Sequence, residues 1–160
     1  MDISFDIDNR KGDRLRVALS FYDTESIRVF SSDPKTLSLK FYDVTLIRIA
    51  GDGYVGMRSL NAVSETLGRF LDENDDAVLC FYCDDTTDII RNHNDLSPQE
   101  YRSKLFSRMF DKYSGSRNNN TYINRTIRFI IEDHCRFTHF ICRPEHQEAV
   151  DILGEVLLNK

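Results

Sequence analysis

The chain has 160 residues, 41% of them hydrophobic and 29% charged, with a net charge of −5 and no tryptophan. That length suits one ordinary domain able to bury about two-thirds of its unfolded surface, and the composition excludes a disordered or fibrous chain. The negative balance argues against non-specific binding of nucleic acid or anionic lipid by the whole molecule.

Met1-Asp2-Ile3-Ser4-Phe5-Asp6 has neither the basic nor the apolar region of a signal peptide. No apolar run approaches the roughly 18 residues a membrane span needs. The expectation is a cytoplasmic protein with no membrane contact, whose cysteines (Cys80, Cys83, Cys135, Cys142) are reduced thiols.

The first fifty residues read as strands. Ile3, Phe5 and Ile7 alternate with polar residues, as do Leu15, Val17, Leu19 and Phe21, then Ile27 and Val29, then Leu37, Leu39 and Phe41. Asn9 to Asp13, Asp23 to Glu25 and Ser31 to Pro34 supply turns. The pattern predicts an antiparallel meander of four to five strands with one wet face, Val44 to Ile49 extending the last strand or adding another. Leu60, Val63, Leu67, Phe70 and Leu71 recur at helical spacing and predict a helix over Ser59–Asn74. Ala77 to Tyr82 reads as a buried strand.

Ser97-Pro98-Gln99-Glu100 is a capping box with proline at the first helical position. The helix it opens carries Tyr101, Leu105, Met109 and Tyr113 at four-residue spacing and stops near Gly115. Ser114 to Asn120 reads as a polar loop. Two strands follow over Thr121–Glu132 and Arg136–Cys142, and Pro144 opens a final helix with Val150, Leu153, Val156 and Leu157 on its apolar side. The whole reads as a single α+β domain over residues 1–160, further strands joining the meander in one sheet packed on about three helices. Leu19-Ser20-Phe21-Tyr22-Asp23, Leu39-Lys40-Phe41-Tyr42-Asp43 and Leu79-Cys80-Phe81-Tyr82-Cys83-Asp84 echo one another at uneven spacing. Shared strand composition accounts for that without a true repeat.

Charge is segregated. Residues 72–95 carry eight acids and one base, and residues 97–128 carry seven bases and two acids. Either the blocks neutralise each other in space or one of them meets a partner.

Asp84, Asp85 and Asp88 follow a buried strand. With Glu132 or Asp133 they are candidate ligands for a hard divalent ion that activates water on a phosphate ester. No glycine-rich phosphate loop accompanies them, and a solvated acidic loop with Asx turns explains them as well.

Cys80 and Cys83 have the spacing of a zinc knuckle. A strand would aim their sulfurs at opposite faces, which favours inert thiols over a metal site that also uses Cys135, Cys142, His134 or His139. No serine elbow or cysteine–histidine dyad is evident, and no cofactor motif occurs.

Lys104, Arg108 and Lys112 form a stripe at i, i+4, i+8 that Arg102, Arg117, Arg125 and Arg128 would extend. Beside Tyr101, Tyr113 and Tyr122 it suits a phosphate backbone, but equally the solvated side of an amphipathic helix or a protein contact.

Phe81-Tyr82-Cys83-Asp84-Asp85, a polar loop, and then Ser97-Pro98-Gln99-Glu100-Tyr101-Arg102-Ser103-Lys104-Leu105-Phe106-Ser107-Arg108-Met109-Phe110 resemble a bacterial family of unknown function. Its members run from a strand ending Cys-Asp into an Arg-x-x-Leu-Phe-x-x-Met/Trp-Phe helix and a hairpin. The resemblance implies one compact α+β unit in the bacterial cytoplasm and brings no activity or catalytic residue with it. Physically, Arg102 or Arg108 is placed to pair with the Asp84, Asp85, Asp88 loop and fix the strand–helix junction. The reading that emerges is a non-enzymatic module that binds another protein or itself. A metal-dependent phosphoesterase and a nucleic-acid binder are the alternatives.

Overall fold

The computed structural model describes residues 2–8, 12, 14–28, 32–51, 57–83, 104, 107, 108, 110, 111, 122–131 and 134–158. The alternating stretches become strands β1 (Asp2–Asp8), β2 (Arg14–Tyr22) and β3 (Lys40–Ala50), followed by helix α3 (Met57–Glu73) and β4 (Ala77–Cys83). Strands β5 (Ile123–Ile131) and β6 (His134–Cys142) form the late hairpin. A 3-10 turn at Pro144–His146 then leads into the last helix, α4 (Gln147–Leu158).

Among the described residues these strands make one sheet in the order β1-β2-β3-β4-β6-β5. Every pairing is antiparallel except β3 with β4, which α3 joins in parallel. The fold is α+β, as expected.

The opening meander is shorter than the alternation predicts. Among the described residues it has three strands, not four to five, because Ile27 lies in helix α1 (Thr24–Arg28) and Leu37 ends helix α2 (Pro34–Leu37). The Asp33 carboxylate accepts from the Lys35 backbone N–H at 2.8 Å, and Pro34 holds the first helical position. Asp33-Pro34 is therefore a helix start and not a strand-to-strand turn. Helices this short never complete the period that would mark them in the sequence.

The sheet has a core on each side. On one, α3 lays Val63, Leu67, Phe70 and Leu71 over Leu15, Val17, Leu19, Tyr42, Val44, Leu79, Phe81 and Ile141. Tyr42 meets the Phe70 ring edge-on at 5.0 Å and 84°. Phe110 packs against this core, while Lys104 and Arg108, helical residues like it, are exposed.

On the other side Ile27, Leu37 and Leu39 join Ala149, Val150 and Leu153 of α4 over Phe41, Val78, Cys80, Ile127, Phe140 and Cys142. Thr36, fully buried, donates its hydroxyl to the Ala149 carbonyl at 3.3 Å, and Lys35 pairs with Glu148 at 2.9 Å, so α2 is tied to α4. Gly154 lets α4 approach β5: a Cβ there would stand 2.5 Å from Ile127 Cδ1.

Candidate binding surface

The two sides are covered unequally. The layer of α1, α2 and α4 packs on the start of β3, on β4, β6 and β5. The same side of β1, β2 and the rest of β3 carries no helix among the described residues. Strand alternation fixes what stands there. Ile3, Phe5 and Ile7 of β1 and Leu15, Val17 and Leu19 of β2 face α3, so Asp6, Asp8, Arg14, Arg16, Ser20 and Tyr22 face outward. Leu46 faces α3, so Ile47 faces outward, and Ile49 follows two residues on at a β-bulge. Phe81 faces α3, so Tyr82 faces outward.

These four residues are the exposed large hydrophobics among the described residues: Tyr22, Ile47 and Ile49 at 42% and Tyr82 at 47%. Scattered single apolar residues need no explanation, but here they share one face of one sheet.

Asp43 stands in the middle. The register sets it opposite Ser20 on β2 and Cys80 on β4. Tyr22 lies diagonally to one side of it, and Tyr82, two residues beyond Cys80, diagonally to the other. The Asp43 carboxylate accepts from the Thr45 hydroxyl at 3.3 Å and from the Tyr22 hydroxyl. Burial raises its pKa above the ordinary carboxylate value, and the two hydroxyls only partly offset this. Tyr22 is pushed up to about 12 by burial and by Asp43, so its hydroxyl keeps its proton. The buried Cys80 thiol is raised well above its usual range by burial, with Asp43 and Cys142 adding to it, and stays neutral.

Asp6 and Asp8 on this face are matched by arginines. Arg16 donates to Asp6 at 2.8 and 3.2 Å, and its hydrogen bond holds the Asp6 carboxyl below its ordinary value. Arg14 pairs with Asp8 at 2.5 Å. Asp43 has no lysine or arginine partner among the described residues.

The structure places the candidate site residues unevenly. Asp84, Asp85, Asp88, Arg102 and Lys112 lie outside the described residues, and so does any pairing of Arg102 or Arg108 with that acidic loop. Asp75 and Asp76, just before it, meet cations outside the basic block. Asp75 pairs with Arg143 at 3.1 Å and Asp76 with Lys40 at 3.7 Å, while Asp72 accepts from the Tyr122 hydroxyl. From the basic block, Arg125 pairs with Asp151 of α4 at 3.1 Å. Arg143 also donates to the Leu71 carbonyl at 3.1 Å, which closes the C-terminus of α3.

Cys80 and Cys142 are free, buried and neutral; burial pushes Cys142 up to about 12. The side chains of Cys83, His134 and Cys135 lie outside those described. His139 is fully buried, with Nδ1 3.0 Å from both Thr126 Oγ1 and Asn124 Oδ1. The Asn124 amide nitrogen donates to Ser107 Oγ at 3.4 Å, which assigns its Oδ1 as acceptor and puts the His139 proton on Nδ1. Desolvation pushes His139 down to about 4, so it is a neutral bridge between the sheet and the helix carrying Ser107.

No group of three or more His, Cys, Asp or Glu among the described residues is placed to hold a metal. No helix among them is long and apolar enough to cross a membrane. The sequence reading missed Tyr22, Asp43 and Tyr82 as a set. Their only trace was the Phe-Tyr echo at the ends of β2 and β4 and the start of β3. No protein-family model matches the chain, and no curated protein matches it either.

Proposed function

We propose that this chain is a non-enzymatic protein-binding module of the bacterial cytoplasm that meets its partner, or a second copy of itself, through the uncovered face of β2 and β3. The observation that supports this most is the concentration of Tyr22, Ile47, Ile49 and Tyr82 on that face, each more than two-fifths exposed. Aromatic and branched apolar side chains on a rigid sheet lose little entropy on contact, and the Asp6–Arg16 and Asp8–Arg14 pairs give the patch a polar rim. The free thiols Cys80 and Cys142 suit a reducing compartment.

The test is photo-crosslinking in bacterial cells, with a benzophenone amino acid at Ile47 or, as control, at Glu65, exposed on α3. The expected result is a discrete protein adduct from position 47, with none from position 65, that Tyr82→Glu abolishes. An absence of adducts, or equal adducts at both positions, overturns the reading. Mg²⁺-dependent cleavage of a phosphodiester that disappears in Asp84→Asn replaces it with the hydrolase. The nucleic-acid alternative draws support from the exposure of Lys104 and Arg108, both helical residues. Retention on heparin that falls steeply with salt and is lost in Lys104→Glu with Arg108→Glu favours it.

A further inference from the structure

We infer that this face takes a lysine or arginine side chain of a protein partner, with Asp43 as its counter-charge and the Tyr22 and Tyr82 rings on either side. The inference rests on the binding reading above and names the chemistry of the partner. Three observations point to a cation. Asp43 is half-buried at the centre of the exposed patch and has only hydroxyl partners, Thr45 and Tyr22, among the described residues. A carboxylate kept partly out of water without a counter-ion is destabilising, and an incoming cation would relieve that. The Asp6 and Asp8 carboxylates of the same face have arginines at 2.8 and 2.5 Å, whereas no lysine or arginine among the described residues meets Asp43.

The second observation is the pair of tyrosines. Their diagonal placement about Asp43, with exposures of 42% and 47%, offers ring faces to a cation near the carboxylate. The third is Ile47 and Ile49 further along β3, apolar surface over which the methylene stem of a lysine or arginine can lie. Among the described residues, Cys80 and Tyr22 beside Asp43 keep their protons and add no negative charge there. The net charge of −5 adds a long-range pull on a basic partner.

The experiment is an amide ¹⁵N–¹H titration of the full chain with acetyl-Ala-Leu-Arg-Leu-Ala-amide, its lysine counterpart, and the same peptide with citrulline, a neutral arginine isostere. The expected result is saturable shifts at residues 20–22, 43–47 and 80–82 with arginine and lysine, at least tenfold weaker with citrulline. Asp43→Asn should weaken the arginine peptide tenfold or more, whereas Glu65→Gln, exposed on α3, should change it less than twofold. If Asp43→Asn loses its dispersed spectrum, Tyr82→Leu replaces it, with an expected loss of threefold or more for arginine and no change for citrulline. Equal binding of citrulline, shifts elsewhere, or indifference to the substitution overturns the inference. So does saturation of the same amides by Mg²⁺ with the peptides silent. If the peptides fail while crosslinking at Ile47 succeeds, the binding face stands and the cationic partner does not. If both fail, the binding reading falls with it.

Discussion

On the side of the sheet away from α3, β4, β6 and β5 lie under α1, α2 and α4, whereas no helix among the described residues covers β1, β2 and most of β3. The strands all run 7 to 11 residues, yet one half buries Phe41, Val78, Phe140 and Cys142 and the other presents Tyr22, Ile47 and paired charges. The difference teaches where this molecule commits apolar area to its own stability and where it keeps apolar area for contact. The largest expected effect tests that division. Phe41→Ala, at a residue 1% exposed, should cost about 3–5 kcal/mol in urea unfolding. Ile47→Ala, six residues along the same strand, should stay within about 0.5 kcal/mol. Comparable losses at the two positions would mean that Ile47 is covered by the protein's own fold.

The two sides also bury polar groups differently. His139, on the α3 side, is neutral and hydrogen-bonded, with its pKa pushed down to about 4. A folded pKa below the unfolded 6.5 means that stability is fully present above 6.5 and is lost as the pH falls toward 4. Unfolding free energies at pH 7.5 and 5.0 should therefore differ by about 2 kcal/mol. His139→Gln should flatten that window, and an unchanged slope would show that some other group controls it.

A smaller effect belongs to the junction between α3 and β4. Arg143 donates to the last carbonyls of α3 and to Asp75, and its guanidinium lies 5.9 Å from the Tyr122 ring centroid. Arg143→Met keeps the stem and removes the donors, so it should cost about 1–2 kcal/mol. Hydrogen exchange should localise the loss to the amides of residues 69–76. A uniform loss over the whole sheet would instead mean that the arginine acts through general packing.

Much of this architecture is written in local signals. α3 was predicted over Ser59–Asn74 and spans Met57–Glu73, because an amphipathic helix of that length repeats its apolar face several times. β4 and the late hairpin are equally legible from apolar runs bounded by turn residues. α1 and α2 are not, since four or five residues hold no period and Asp33-Pro34 serves a turn as readily as a helix cap. The candidate surface is legible only once pairing is known. In the Phe-Tyr echoes, Tyr22 and Tyr82 point outward while Tyr42 points into the α3 core, so the same dipeptide is read on opposite faces. Asp43 gains its meaning from strands 20 residues before it and nearly 40 after it, a neighbourhood that no local window contains.

The smallest expected effect separates a structural aspartate from one kept for recognition. Asp43 has a raised folded pKa, so its ionised form costs stability above that pKa, and the cost is relieved as the pH falls through it. Asp43→Asn should then raise stability at pH 7. The group is only partly buried, so screening keeps the gain below about 1 kcal/mol. Asp6→Asn, beside Arg16, should move stability the other way, because its folded pKa is lowered and its charge is already matched. Opposite signs from two aspartates on one sheet face, read as shifts in thermal midpoint at pH 7, are what a binding role requires. A residue that lowers the stability of its own fold is retained for what it does to something else. If Asp43→Asn instead lowers the midpoint, the carboxylate has a counter-charge within the chain, and the cation has already been supplied.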